Sequence, residues 1–378
     1  MIRAMRDTVW VQKSPFYKAA AKHGVRAYDM YNHMWMPAVY TNPEDEYRHL
    51  LEHVTVWDVG VERQVEISGP DGAKFMELLT PRDMTKCAVG QCKYVVLTTP
   101  EGGIINDPVL LRLAEDHFWL SLSDWDVLFW CKGVAVNAGL DVDVREPDVS
   151  PLQIQGPKSK DLMKALFGPS ILDLPYYYLI QTKLDGIPVV ITRTGWTAEV
   201  GYEIYLQDGS RGNELWDRVM TAGKPFNIRP IAPSEIRRIE AGILNYSSDI
   251  MLDNNPYEVG LGWTVDLDKK ADFLGREVLR RIKAEGVKRR LVGIEVEGDS
   301  LGAWAPEFYP VLADGHDVGH VTSLTFSPRL RKNIGFALVP VGHAKLGSRF
   351  TVRTVKGERG AVVVKKPFID PKKDIPKA

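Results

Sequence analysis

The sequence has little of what marks the specialised classes of protein. Three cysteines in 378 residues (Cys87, Cys92 and Cys131) are too few and too irregular for a disulfide framework, and none form a C-x-x-C pair. A reducing, cytoplasmic compartment is the expectation. The charges almost cancel, 48 basic against 49 acidic for a formal net charge of -1, so nothing in the balance attracts nucleic acid or an anionic membrane. No apolar run reaches the roughly 18 residues that a spanning helix needs. The opening stretch, MIRAMRDTVWVQKSPF, lacks the apolar centre of a signal peptide. No G-x-G-x-x-G follows a strand and no P-loop occurs, which leaves a bound dinucleotide or nucleoside triphosphate unsupported.

What is present is a chain long enough for two or three domains, with 44% hydrophobic residues and ten tryptophans. Tryptophans fill cores by default and wall aromatic pockets in some cases. The most informative stretch is YVVLTTPEGGIINDPVLLR, residues 94–112. Two apolar runs flank a Pro-Glu-Gly-Gly turn, a hairpin pattern. Asp107 stands where an apolar residue fits better, and Pro108 removes a backbone donor and pushes Asp107 toward extended backbone. A carboxylate among apolar neighbours is costly without a partner, which marks it as a candidate functional group. The alternative is that Asp107 caps the turn, a role Asp favours.

Along the chain, residues 14–24 read as a short helix and YDMYNHMWMPAVY, 28–40, as an ordered loop that plugs a core or lines a pocket. Residues 43–53 read as a helix whose His49, Glu52 and His53 match the short zinc-peptidase pattern H-x-x-E-H; an amphipathic helix with solvent-facing histidines is the plainer reading. Strands are expected at 54–59 and 63–67. A Gly69-Pro70-Asp71 turn then caps the helix 72–79. Further on come a strand at 117–122, a helix at 124–137 with Trp125, Leu128, Phe129 and Val134 on one side, and strands at 140–144, 149–154 and 188–192. The segment TGWTAEVGYEIY, 194–205, is a glycine-flanked loop entering a strand. Glu203 there is either the solvent side of an alternating strand or a second misplaced carboxylate. Residues 233–244 read as a helix in which Arg237 and Arg238 make structural ion pairs, the safer reading, or contact a ligand. A helix at 273–283 and the charged linker 284–290 precede a β-rich block with strands at 291–296, 318–322, 334–339, 349–352 and 361–365, a small barrel or sandwich. The tail from Asp370 is expected to be loose. The fold class is α+β, with a region at 1–283 made of two interleaved subdomains (about 1–145 and 146–283), and the β-rich block at 291–369.

The function is read from resemblance. Met36-Pro37-Ala38-Val39-Tyr40, Trp57-Asp58-Val59, Gly102 to Asp107, Leu152 to Pro157, Thr194 to Ile204, Arg238 to Gly242 and Gly319 to Pro328 resemble, in order, the motifs of the glycine-cleavage T-protein (aminomethyltransferase) family. The likeness covers nearly the whole chain. It implies a three-domain cloverleaf around a central tetrahydrofolate channel, with a C-terminal β barrel. Tyr31 to Met34, Glu62 to Gly69, Arg82-Asp83, Ile105 to Val109 and Gln155 to Ser159 resemble the family's demethylase branch, which acts on dimethylsulfoniopropionate. Ser234, where the T-proteins have an arginine, and Asn106, where they have a first aspartate, argue against the aminomethyl-lipoyl reaction.

The resemblance implies that Glu203 accepts hydrogen bonds from the pterin. Tyr94, Ser121, Trp196 and Tyr205 would line the folate pocket, and Asp107 would lie near the nitrogen that receives the carbon. Tyr31, Trp35 or Trp196 would hold a cationic donor by cation–π contact. The expected reaction is methyl transfer to tetrahydrofolate from a small donor, with dimethylsulfoniopropionate first, another N-, S- or O-methyl compound second, and glycine-cleavage aminomethyl transfer as the alternative. A folate-binding regulator without catalysis is a further alternative, and zinc peptidase ranks last. No metal, nucleic acid or membrane partner is expected, and a homodimer is left open.

Overall fold

A computed structural model describes residues 8–124 and 126–378. The chain divides into two compact units.

The first unit holds the residues up to Gln64 together with Glu146–Gly195 and Glu199–Pro233. Its frame is a six-stranded sheet in the order Leu179–Leu184, Ile187–Thr192, Gly201–Leu206, Ser150–Gln155, Thr55–Asp58, Arg229–Pro230. One face packs on the helices Tyr17–Lys22, Ser159–Phe167 and Gly212–Gly223 through Leu152, Ile154, Ile191, Ile204, Leu162 and Trp216. All six residues of Gly201–Leu206 are buried, so the alternation that suggested a solvent side for Glu203 does not apply. A central strand with neighbours on both sides buries both faces. The edge strand Leu179–Leu184 escaped the sequence reading because its middle residues are polar and mostly exposed.

Residues 28–40 form a hairpin rather than a loop, Ala27–Tyr31 against Met34–Val39. Asn32 and His33 make the turn with φ of 49° and 63°, the left-handed pair that a tight hairpin requires. Pro37 is tolerated because the sheet has only two strands. The helix Pro43–Glu52 is capped by Asn42, whose side chain accepts from Asp45 N. His49 does not face solvent: it is buried, and its Nε2 lies 2.8 Å from Asn227 O. His53 Nδ1 lies 3.1 Å from Lys158 Nζ. Among the described residues no cluster of three or more His, Cys, Asp or Glu is placed to hold a metal ion.

The second unit holds Val65–Arg145, Trp196–Ala198 and Ser234–Ala378. A five-stranded sheet runs Asp143–Arg145, Gln64–Ser68, His117–Ser121, Val109–Ala114, Cys92–Tyr94. Asp71 makes no side-chain cap for the helix Gly72–Leu79; Asp116 accepts from Ala73 N instead, at 3.1 Å. The helix Val127–Ala138 buries Val127 and Cys131 and packs Leu128 and Val134 of the expected stripe against the core, but Phe129 is exposed, and Trp125 lies outside the described residues. The predicted helix 233–244 is helical only over Glu235–Glu240, and the predicted 273–283 over Arg276–Glu285. The β-rich block is a closed six-stranded barrel between Arg289 and Val364. It includes Tyr309–Ala313, a strand hidden in the sequence by Pro310. The tail is less loose than expected: Asp370 accepts from Asp374 N and Ile375 N at the start of a short helical turn.

Candidate active site

The long hairpin predicted for residues 94–112 splits in two. Leu97–Thr98 pairs with Ile104–Asn106, and Cys92–Tyr94 pairs with Val109–Ala114. Asp107 and Pro108 fill the break between the two pairings. Pro108 has no N–H, and its carbonyl accepts from Val95 N at 3.0 Å, which anchors the break.

Asp107 is buried. One oxygen accepts from Tyr94 Oη at 2.7 Å and the other from Ser123 Oγ at 2.6 Å. Burial pushes its carboxyl up to about 6, with Asp249 adding to the rise and the Ser123 and Tyr94 hydrogen bonds opposing it. Neutral hydroxyls hold this carboxylate in place without cancelling its charge. It is therefore no turn cap.

Ser123 was not among the residues picked from sequence. The predicted Ser121 lies at the end of its strand opposite Val109. Ser123 is set by Asn106, whose Nδ2 donates to Ser123 O at 3.2 Å and whose Oδ1 accepts from Ser123 N at 3.1 Å. An ionised aspartate at 106 accepts but cannot donate, so this two-way clamp needs the amide.

Tyr94 extends the arrangement outward. Its ring stacks on Trp263 at 6.0 Å, and the Arg82 guanidinium lies 5.1 Å over the other ring. Trp263 is 60% exposed, an open aromatic face joined through Tyr94 to a buried acid. Sequence reasoning missed Trp263 because it lies 156 residues beyond Asp107 in the numbering. Trp196 belongs to the same unit, with Arg238 at 5.7 Å from its ring. Arg238 is itself buried against Asp249, 2.5 Å away, and Glu235, also 2.5 Å. It is the structural ion-pairing residue that was expected. Ser234 caps the helix Glu235–Glu240, accepting from Arg237 N at 3.3 Å.

In the first unit, Glu203 sits in a row of directly paired residues that crosses four strands: Trp57, Gln153, Glu203 and Thr192. Paired residues point to one side of a sheet, here the side opposite the helices. Gln153 Nε2 donates to Glu203 Oε1 at 2.6 Å. Oε2 accepts from Thr194 Oγ1 at 2.5 Å, Tyr205 Oη at 2.9 Å and Thr192 Oγ1 at 3.3 Å. Burial raises the Glu203 carboxyl, against the pull of Thr194, Tyr205, Gln153 and Thr192. Every one of those groups donates, which an acceptor-only carboxylate satisfies.

The glycines of the segment 194–205 have a physical reason. The Gln155 side chain passes between Gly195 and Gly201, and a Cβ on either would lie 2.2 or 2.3 Å from it. Gln155 Nε2 in turn donates to Thr194 O and Tyr202 O, fixing the bend that delivers Thr194 to Glu203.

Of the other two residues expected, with Trp196, to hold a cation, Trp35 is buried with its ring 6.1 Å from Tyr28, edge to face. Tyr31 ends its strand opposite Met34 and is partly exposed.

Residues 16–269 match the GCVT N-terminal domain and residues 289–370 the glycine cleavage T-protein C-terminal barrel domain. The dimethylsulfoniopropionate demethylase of Ruegeria pomeroyi is 38% identical over 356 residues, 93% of this chain and 96% of that protein. An aminomethyltransferase of Symbiobacterium thermophilum is 32% identical over 95% of this chain and 97% of its own length. The crystal structure of the glycine cleavage system aminomethyltransferase T from Bartonella henselae superposes with a TM-score of 0.85 at 24% identity, covering 95% of this chain and 98% of that one; it shows the shared fold. The chain belongs to the glycine cleavage T-protein family, and it is a one-carbon transferase that uses tetrahydrofolate.

Proposed function

We propose that the protein is a demethylase that moves a methyl group from a small donor, dimethylsulfoniopropionate, to tetrahydrofolate. The observation that carries the choice of donor is the 38% identity to the Ruegeria pomeroyi demethylase along 93% of the chain. Asn106 supports it, because its clamp on Ser123 leaves Asp107 without a second carboxylate beside it in sequence.

Glu203 and its surroundings fit the reduced pterin. The carboxylate is buried, accepts only, and lies beside Gln153 Oε1, a buried oxygen with no hydrogen-bond donor among the described residues. Such a pair suits a ring edge rich in N–H groups. Tyr205 and Thr194 hold the carboxylate in one orientation, and Trp57 walls the row. When bound, tetrahydrofolate supplies the nitrogen that takes the methyl group.

A sulfonium is an activated donor. The C–S bond breaks with its electron pair left on sulfur, and a neutral thioether departs. The protein then has to position, dehydrate and stabilise charge rather than activate a leaving group. Asp107 supplies the fixed negative charge for the cationic nitrogen that develops, and Tyr94 and Ser123 aim it. Burial strengthens that interaction by lowering the local dielectric. Tyr94 and Trp263 offer aromatic faces for the flat part of the folate.

The test is a product assay with purified protein, tetrahydrofolate and dimethylsulfoniopropionate, following 5-methyltetrahydrofolate, with Asp107→Ala alongside. Turnover in the wild type that vanishes in the variant is the expected result. No turnover, with tetrahydrofolate still bound, would reject this donor and move the search to betaines and methoxy-aromatics. A second reading, aminomethyl transfer from a lipoyl-bearing carrier protein, draws on the 32% identity to the aminomethyltransferase. Adding an aminomethyl-lipoyl carrier to the same assay separates the two.

A further inference from the structure

Gln153 falls within Leu152 to Pro157, one of the stretches that carry the family likeness, and it is one of the most completely buried polar side chains of the first unit, 1% exposed. Its amide is locked. Glu203 can only accept, so Gln153 must turn Nε2 toward it, and does so at 2.6 Å. The same lock turns Gln153 Oε1 away from the carboxylate, and among the described residues no donor reaches that oxygen. Leaving a buried amide oxygen without a donor is unfavourable, because the hydrogen bond it made to water is lost and not replaced. Thr192, Thr194 and Tyr205 are spent on Glu203 Oε2, so none of them relieves the cost. Glu203 Oε1, with a single protein donor, keeps capacity for another. The neighbour on the other side of Gln153 in the row is Trp57, whose Nε1 is directed to Thr55 Oγ1 at 2.8 Å. The site therefore holds two adjacent acceptors, one charged and one neutral, with no donor among the described residues left to fill them.

We propose that Gln153 Oε1 is a ligand-binding acceptor that shares the 2-amino group of the reduced pterin with Glu203. This rests on the tetrahydrofolate reading of the Glu203 row and names a residue and a donor group within it. An exocyclic amino group has two N–H bonds that diverge, so it satisfies two neighbouring acceptors at once. Glu203 Oε1 takes one hydrogen and Gln153 Oε1 the other. Gln153 thereby reads the amino group rather than merely buttressing the carboxylate. A ring with a methyl or oxo group at that position leaves Gln153 Oε1 unsatisfied and is rejected.

Calorimetric titration separates ligand contact from support. The ligands are tetrahydrofolate and its 2-desamino-2-methyl analogue; the proteins are wild type and Gln153→Leu. Leucine fills the volume and removes both polar atoms. The expected result is a Kd for tetrahydrofolate raised at least about tenfold by Gln153→Leu, with the analogue bound equally by both proteins. Equal weakening of both ligands would overturn the proposal, since Gln153 would then act only by holding Glu203. An unchanged Kd for tetrahydrofolate would also overturn it, while leaving the folate reading intact. Wild-type protein that failed to bind tetrahydrofolate would overturn both. Should Gln153→Leu not fold, as judged by its thermal unfolding, Gln153→Asn keeps a carboxamide in the buried row but withdraws it by one methylene. It is expected to show the same selectivity, a loss for tetrahydrofolate of about threefold or more with none for the analogue; a loss shared by both ligands would again count against the proposal.

Discussion

Asp107 and Glu203 are two buried carboxylates built in opposite ways. Glu203 stands in the middle of a central strand, with a paired strand on each side, and collects four donors from Gln153, Thr192, Thr194 and Tyr205. Asp107 stands in a break between strands, at a proline, and collects two hydroxyls. Burial raises both, but Glu203 is held stationary by four donors with Oε1 still open to one more, whereas Asp107, with two, keeps more of its charge available. The difference suits two tasks. A recognition group needs a fixed pattern of acceptors, whereas a group that answers charge forming on a substrate needs a field that its neighbours have not already neutralised.

The widest separation between the two is expected in turnover. Asp107→Asn should lower the methyl-transfer rate by roughly 100-fold or more, from lost charge stabilisation, with the Kd for tetrahydrofolate changed little. In wild type the rate should fall as pH drops through about 6, the value to which burial pushes the Asp107 carboxyl, and Asp107→Asn should lack that limb. A rate profile flat from about pH 5 to 8 would break the assignment.

Glu203→Gln should do the reverse. It sets an amide against the Gln153 amide and removes the charge, so tetrahydrofolate binding should weaken by about 10- to 100-fold, read by titration, while the acid limb of the rate stays where it was.

Gly195→Ala probes the scaffold under Glu203. A Cβ there meets the Gln155 side chain at 2.2 Å, and the variant should lose about 1–3 kcal/mol of stability by denaturant unfolding. Wild-type stability in Gly195→Ala would mean that the Gln155 packing is not needed.

Asp107→Asn should also change stability, in the opposite direction. A carboxyl raised from 3.8 to about 6 favours the fold when protonated, and that favour is lost as pH rises from about 4 through about 6. At pH 8 the neutral amide should therefore stabilise the protein, by up to about 3 kcal/mol. At pH 4 the two proteins should unfold alike. The smallest effect is expected outside the buried acids: Trp263→Ala removes the face stacked on Tyr94 and should raise KM for tetrahydrofolate about two- to tenfold with kcat little altered.

Much of this was readable in the chain. The glycines and proline around residues 100–108 marked a hairpin, though not its break at Asp107 and Pro108, and the two carboxylates stood out because strand neighbours are apolar. The short strands after residue 290, spaced by Gly and Pro, announced the barrel. Other features carried no local signal. The hairpin Ala27–Val39 hides its turn in Asn32 and His33, neither of them glycine. Ser121 and Ser123 are alike in sequence, and only the clamp from Asn106 shows which one reaches Asp107. Gln153 looks like an ordinary strand residue until its partner across the sheet is known.

The sequence by itself determined the apolar runs, the turns, the barrel-forming block and the presence of two carboxylates where burial is costly, because these follow from local backbone preferences and hydrophobic period. Only the tertiary structure decided what each carboxylate touches. Cross-strand register placed Gln153 and Thr192 beside Glu203, and the clamp from Asn106 placed Ser123 beside Asp107. Hydrogen bonds of a few ångströms between residues 16 to 50 positions apart are set by how strands pair, which no single stretch of sequence encodes.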